Sequence, residues 1–376
     1  MCIMIALMLN TALKMKLSNE FLELLSALKC VLHGQQLQGD VYFEKLFEVA
    51  RKQTVDGMLF DLSGLLLPND DNLRLKRIGS LMTLEKYNQW MDIQVETLAR
   101  KLDDNKIRYA IMKGQTCAVF YPHPLHRRSG DIDVYVVPHD FERANELLVK
   151  WGYELTDKTM LHSTYRKGKL VVEVHFAIQK LQYIPYYERL KRITADEFDS
   201  SQNNTFVNIC GYEVHVLPNE LNMLLLTTHA FNHVITAGLG LRQIIDWQVV
   251  LTDKVSSLDW ERLLDYLDQL HLRQMFLILA YINVKYLGMD GQIFTERNLD
   301  INAVDVRKMS ERLLSWVEKC GNFGHSMNLG TGKAYLLRYY GLFLYNLIRF
   351  FPINPMEMLA WPWMKGYRAI THKNHL

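Results

Sequence analysis

The sequence lacks most of the features that usually announce a function. Only five cysteines occur in 376 residues: Cys2, Cys30, Cys117, Cys210 and Cys320. They are odd in number, scattered, and form no Cys-x-x-Cys pair, which argues against a zinc site or a disulfide framework and fits a reducing cytoplasm. Neither sign of charge is in excess. The 43 Lys and Arg against 41 Asp and Glu leave a net charge of +2, and so no electrostatic case for a dedicated nucleic-acid binder. Long apolar runs are missing too. The opening "MCIMIALMLNTAL" is apolar, but it has no basic n-region and no small-residue cleavage site, and it is too short to span a bilayer. Residues 1–16 are therefore expected to be an apolar extension, with Met15 as an alternative start of translation. No transmembrane span is expected, and the location that follows is cytoplasmic. No repeat or low-complexity tract occurs.

What is present reads as an ordinary globular chain, 49% hydrophobic and 22% charged, long enough for two or three packed units. Between Leu17 and Leu65 apolar residues recur every three or four positions, as in short helices. Pro68 and the Asn-Asp-Asp after it break the pattern. A long helix follows from Leu73 to about Leu102, with Trp90, Ile93 and Leu98 expected on one face. The periodicity then changes. "IRYAIM" (107–112) is a strand ended by Lys113-Gly114, and "QTCAVFY" is a short helix closed by the loop "PHPLHRRSG". "DIDVYVV" is a second strand stopped by Pro138. A helix over 139–151 leads to the strands "HSTYRK" and "LVVEVHFAI", joined at Lys167-Gly168, and to a hairpin in "TFVNICGYEVHVL" that turns at Gly211. After Pro218 the chain is helical to its end. The expected organisation is an N-terminal helical region over 17–104, an α/β core over 105–217 and a C-terminal helical region over 218–376.

The chemistry sits in "RRSGDIDVYVV". Side chains alternate along a strand, so Asp131, Asp133 and Tyr135 share one face while Ile132, Val134 and Val136 form an apolar face. In the later strand Glu173 and His175 point together, away from Val172, Val174 and Phe176. If those strands pair, Glu173 joins the two aspartates. Adjacent carboxylates repel unless a proton or cation neutralises them. Three of them suit one or two Mg²⁺ ions, hard cations that prefer oxygen and bridge phosphates. Lys113 would add a cation and Gly114 a close backbone approach at the end of the first strand.

A strand ending in glycine, a short helix, a hydrophobic-Asp-hydrophobic-Asp-hydrophobic strand and a later strand carboxylate together resemble the nucleotidyltransferase fold, the superfamily of DNA polymerase beta. More narrowly, "IMKGQTCAVFYPHPLHRRSGDIDVYV" is similar to an uncharacterised bacterial nucleotidyltransferase-like family, whose members carry Lys-Gly, Tyr-Pro, Arg and Asp-x-Asp in that order. The resemblance continues through "VEVHF", "ICGYEVHVLPNELNMLLLTTHAFNH" and "GLRQIIDWQVVL", so it covers roughly residues 50 to 255. It implies an α+β fold in which a small mixed sheet is flanked by helical regions. It also implies Mg²⁺-dependent transfer of a nucleoside monophosphate from an NTP, such as ATP, to an acceptor. Carried over by position, Asp131, Asp133 and Glu173 match the metal-binding and catalytic carboxylates, with Glu173 also a base for the acceptor hydroxyl. Lys113 and Gly114 match the loop that meets the phosphates. The superfamily usually has Gly-Ser or Gly-Gly after the first strand, and here Gln115 follows Gly114. Arg127, Arg128 and Ser129 are the expected compensating phosphate contacts, since guanidinium binds phosphate bidentately.

The acceptor expected is a small molecule, because long nucleic acid needs clustered Lys and Arg. A protein or RNA end is the alternative in the same reaction class. A relative that binds nucleotide or a partner without turnover is the alternative in another, and Gln115 keeps it open. His229 and His233 share a helix face but lack the intervening glutamate of a zinc protease, so they read as packed histidines covering the cleft. Arg242 and Asp246 read as an intrahelical ion pair. "YLLRYYGLFLYNLIRFFPINP" reads as a core-packing helix with snorkelling Arg338 and Arg349 rather than as an interfacial one.

Overall fold

The computed structural model describes residues 16–37, 43–63, 70–159, 162–199, 205–236, 238–322 and 332–371. The apolar extension expected over residues 1–16 lies outside them, Lys16 excepted. The described chain begins with helices α1 (Asn19–Leu32) and α2 (Phe43–Lys52), a 3-10 turn (Asp56–Asp61) and the long helix α3 (Asp71–Asp104). Asp70 caps α3 by accepting the Leu73 amide at 2.7 Å. This satisfies a donor that no helical carbonyl can reach. Met91, Val95, Leu98, Ala99 and Leu102 are its buried stripe. Ile93 is 52% exposed, which corrects the expected face. Leu98 lies five positions beyond Ile93, so at 3.6 residues per turn the two point well apart.

The α/β part runs β1 (Tyr109–Met112), α4 (Gln115–Ala118), β2 (Ile132–Val136), α5 (Phe141–Lys150), β3 (Glu154–Lys158), β4 (His162–Lys167), β5 (Leu170–His175), α6 (Ile184–Thr194) and the hairpin β6 (Phe206–Ile209) with β7 (Tyr212–His215). Five strands form one mixed sheet in the order β1-β2-β5-β4-β3, and β6-β7 stands apart. β2 and β5 are the parallel pair, with Asp133 opposite Glu173 and Tyr135 opposite His175. Strand β3 is an addition to the sequence reading. All five of its residues are exposed, so no alternation marks it. The fold is α+β, a small mixed sheet flanked by helices.

Both faces of the sheet are covered. Ile132, Val134, Val136, Val172 and Val174 pack with the buried stripe of α3, with Phe141 and Leu148 of α5, and with Val207, Ile209 and Val214 of the hairpin. The opposite face presents Ala110, Met112 and Tyr135 to a second core, built from α1, α2 and the helices that follow residue 218. Tyr135, on the carboxylate face, is accordingly 1% exposed and meets Phe198 edge-on.

Helices α7 (Asn219–Ile235), α8 (Leu241–Lys254), α9 (Trp260–Gln269), α10 (Arg273–Leu287), α11 (Gln292–Thr295), α12 (Val304–Cys320), α13 (Gly332–Arg349) and α14 (Pro355–Thr371) complete the chain. The first and last regions share one core. Phe21, Leu24, Phe43 and Leu46 pack in the same cluster as Leu241, Phe276 and Leu313, and the buried Gln53 donates to the Val317 carbonyl at 2.8 Å. In α13, Phe343 and Leu347 are buried, whereas Leu344 and Ile348 are 52% and 75% exposed. Arg349 is buried and donates to the Arg312 carbonyl rather than snorkelling. The Arg338 side chain lies outside the described residues.

Candidate active site

The parallel pairing of β2 with β5 brings the sequence-predicted carboxylates together. Asp131 stands just before β2, Asp133 within it, and Glu173 directly across on β5. One oxygen from each lies within 4.8 Å of the others. Asp131 is exposed, Glu173 half-buried and Asp133 buried.

Lys113 reaches this group from the end of β1. Its φ is +54° and that of Gly114 is +52°, so two successive residues occupy left-handed backbone. Glycine tolerates this, while a side chain costs about 1–2 kcal/mol. A Cβ at position 114 would meet nothing closer than the Asp131 carbonyl at 3.7 Å, so backbone conformation, not space, calls for glycine. The turn places Lys113 Nζ 3.0 Å from Asp133 Oδ2. His175 Nε2 lies 3.0 Å from Asp133 Oδ1 and 3.3 Å from Glu173 Oε2, and the His162 ring lies beside it at 4.8 Å.

These contacts set the protonation states. Burial opposes the charge on Asp133, but Lys113 and His175 outweigh it and hold the carboxyl far below its usual range. The nearby Asp133 charge pushes Asp131 up, against the pull of Lys113. Burial disfavours an imidazolium at His175, yet its hydrogen bonds to Asp133 and Glu173 prevail and raise it. Burial would raise Glu173, and the His175 hydrogen bond brings it down. The three carboxylates tolerate one another here because Lys113 and His175 sit between them.

An all-oxygen trio fits a hard divalent cation of the Mg²⁺ kind. Both Asp133 oxygens face a protein cation, so a metal would compete with Lys113 or His175 for that residue. The set His162, Glu173 and His175 also falls within 4.8 Å and shares Glu173 with the trio.

The two arginines expected at the phosphates are committed elsewhere. Arg127 is buried and makes two 2.7 Å hydrogen bonds to the two oxygens of Asp246, which also accepts from the Tyr121 hydroxyl at 2.7 Å. Arg128 pairs with Asp56 through two bonds of 2.6 and 2.5 Å. Ser129 donates to Gln115 Oε1, and Gln115 in turn donates to Asp92. Gln115 is thus a buried strut between α3 and the loop. Asn88, wholly buried on α3, donates to the Leu125 and Arg127 carbonyls and clamps the same loop.

The expected Arg242–Asp246 pair gives way to Arg127–Asp246, because the guanidinium of Arg127 takes both carboxylate oxygens. Arg242 instead donates to the Arg128 carbonyl at 2.9 Å, and its Nε is buried with no hydrogen-bond partner among the described residues. Burial, and then the charge of Arg127, lower its affinity for a proton, while Asp246, Tyr121 and Asp131 act in the other direction. Arg242 is therefore a buried cation on the helical side, within electrostatic reach of Asp246 and Asp131. Nothing in its local sequence marks it, since its i,i+4 spacing to an aspartate points to a surface pair. His229 and His233 behave as packed histidines, with rings 4.5 Å apart. Burial, then Lys113, keeps both neutral, His233 at about 4 and His229 well below its usual value.

A strand-borne Asp-x-Asp with a carboxylate on the adjacent strand, following a glycine-ended first strand, is the arrangement that the sequence resemblance leads one to expect of a nucleotidyltransferase. The chain belongs to a family described as uncharacterised nucleotidyltransferases, whose model matches residues 40–288, more than half its length. It is a transferase of that class. Among curated proteins no relative matches. Among solved structures, the antibiotic-resistance factor ANT(2'')-Ia is 13% identical, with a TM-score of 0.35 over 52% of this chain and 98% of its own. An antigenic nucleotidyltransferase-like protein from Paracoccidioides brasiliensis is 20% identical, with a TM-score of 0.33 over 54% of this chain and 96% of its own. No helix among the described residues is long and apolar enough to cross a membrane.

Proposed function

We propose that this nucleotidyltransferase moves a nucleoside monophosphate from an NTP to a small-molecule acceptor, using Mg²⁺ held by Asp131, Asp133 and Glu173. The observation that carries the reading is the trio of carboxylate oxygens within 4.8 Å of one another, on adjacent parallel strands. Mg²⁺ bound there would neutralise phosphate charge and align the triphosphate for in-line displacement. The chain's own groups have separable tasks. Lys113, released from Asp133, binds phosphate oxygens beside the Gly114 turn. Arg242, with an unspent donor, is a second phosphate contact. Glu173, freed of His175, accepts the proton of the acceptor hydroxyl. Arg127, Arg128 and Ser129 hold the loop rather than the nucleotide. Helices α7 and α8 wall the cleft on the acceptor side. An open groove of about 580 Å³ runs along α3, lined by Ser80, Thr83, Tyr87 and Arg128.

A second reading, nucleotide binding without turnover, is favoured by the full engagement of Asp133 with Lys113 and His175. Titration of ATP, CTP, GTP and UTP with and without Mg²⁺, on wild type and Asp131→Asn/Asp133→Asn, tests both. Binding of one nucleotide that needs metal and is lost in the double variant supports the site. Binding unchanged by the double variant sinks it. Metal-dependent pyrophosphate release with any acceptor excludes the second reading.

A further inference from the structure

A second group of metal-ligating side chains lies at the far end of the same loop. Asp61 ends the 3-10 turn after α2, and His123 and His126 belong to the segment between α4 and β2. His126 Nδ1 lies 2.5 Å from Asp61 Oδ1, and His123 Nε2 lies 3.7 Å from the same oxygen. The three ligand atoms fall within 4.8 Å of one another. Tetrahedral coordination at about 2.0–2.1 Å needs ligand atoms roughly 3.3 Å apart. Small side-chain rotations therefore suffice.

Two further features suit a metal. The other nitrogen of His126, Nε2, is 3.0 Å from Glu85 Oε1 on α3. A metal-binding histidine almost always donates its second ring N–H to a carboxylate, carbonyl or water, which fixes tautomer and ring orientation. The backbone frame is also set. A Cβ at Gly57 would come within 2.2 Å of the His126 carbonyl oxygen, so glycine lets the 3-10 turn lie directly against the histidine segment. Asp61 is 5% and His126 10% exposed at the side chain, while His123 is 63% exposed, which leaves an open side for a water ligand.

We propose that Asp61, His123 and His126 form a zinc-type site, separate from the three carboxylates, with Glu85 as a positioning residue. Two imidazoles and one carboxylate suit Zn²⁺ or Co²⁺ better than Mg²⁺, which prefers oxygen alone. The scattered cysteines pointed away from zinc, but none of these ligands is a cysteine. The ion would staple the segment that leads into Asp131 and Asp133 to the N-terminal helices.

The test uses the full chain, stripped of metal, carrying Asp133→Asn/Glu173→Gln so that the first site and its histidines contribute least. Zn²⁺ is titrated against a competing chelator and Co²⁺ is followed by visible absorption, both in excess Mg²⁺. One equivalent should bind, and Zn²⁺ should raise the thermal midpoint. Adding His123→Ala should weaken binding at least 100-fold and abolish the thermal shift. Since His123 is exposed, that variant reports the ligand rather than the fold. Glu85→Gln should weaken binding 10- to 100-fold while keeping the Co²⁺ spectrum. No uptake in the background chain, or uptake and thermal shift unchanged by His123→Ala, overturns the site.

Discussion

Arg127 and Asp246, 119 residues apart in sequence, meet in a buried bidentate ion pair with both bonds at 2.7 Å. The pair ties the loop before β2 to helix α8, and so fixes how the carboxylate strand sits against the helical side of the cleft. Removing one partner of such a pair leaves an uncompensated buried charge, which costs about 3–5 kcal/mol. Arg127→Ala is expected to lower unfolding stability by that order in urea titrations. Arg127→Met/Asp246→Leu should lose clearly less than Arg127→Ala. If Arg127→Ala leaves stability intact and only weakens nucleotide binding, Arg127 is a phosphate contact after all.

Arg242 should show the opposite balance. Arg242→Met loses the hydrogen bond to the Arg128 carbonyl but also removes a buried charge with an unpartnered Nε, so it should cost the empty protein less than about 1.5 kcal/mol. A charge-assisted hydrogen bond to phosphate is worth about 1.5–3 kcal/mol. NTP affinity should therefore fall roughly 10- to 100-fold, as read by calorimetry. Affinity that stays at the wild-type value removes Arg242 from the phosphate site.

Gln115 occupies the position where the superfamily has a small residue, and its side chain joins Asp92 to Ser129. Gln115→Ser breaks both links: the half-buried Asp92 loses its amide donor, while Ser129 keeps Asn88 as a partner. A loss of about 1–3 kcal/mol is expected in thermal or urea unfolding, with no gain in kcat/KM. A more active variant would show that the glutamine restrains catalysis rather than supporting the loop.

Glu357 is fully buried and accepts the amides of Gln182 and Tyr183. Burial pushes its pKa up from 4.5 to about 7, against the pull of those amides. A carboxyl raised on folding binds its proton more tightly in the native state. Its contribution is therefore complete below the unfolded value and is lost as pH rises through about 7. That loss is on the order of 3 kcal/mol. Urea midpoints measured between about pH 5 and pH 8 should fall more for wild type than for Glu357→Gln. Parallel pH profiles would show that the amides, not burial, govern this carboxyl.

The register of α3 gives a simpler check. Leu98→Ala should cost about 2–5 kcal/mol, and Ile93→Ala less than about 0.5. Comparable losses at both positions would mean that the helix is rotated.

Local periodicity determined a good deal of this protein. Alternation in "DIDVYVV" and "LVVEVHFAI" placed Asp131, Asp133 and Glu173 on one face, because strand side chains repeat every two residues whatever surrounds them. Gly114, at the end of β1, was marked by the same local logic, since few other residues accept its backbone. Partner choice was settled only in three dimensions. Arg127 and Arg128 look like phosphate ligands beside the motif, yet their carboxylates, Asp246 and Asp56, lie 119 and 72 residues away. His175 was visible as a neighbour of Glu173, but its place on Asp133 depends on the parallel pairing of two strands. Strand β3, exposed throughout, carries no pattern to read. Charged and hydrogen-bonding side chains take their meaning from what they face, and long-range packing, not spacing along the chain, decides that.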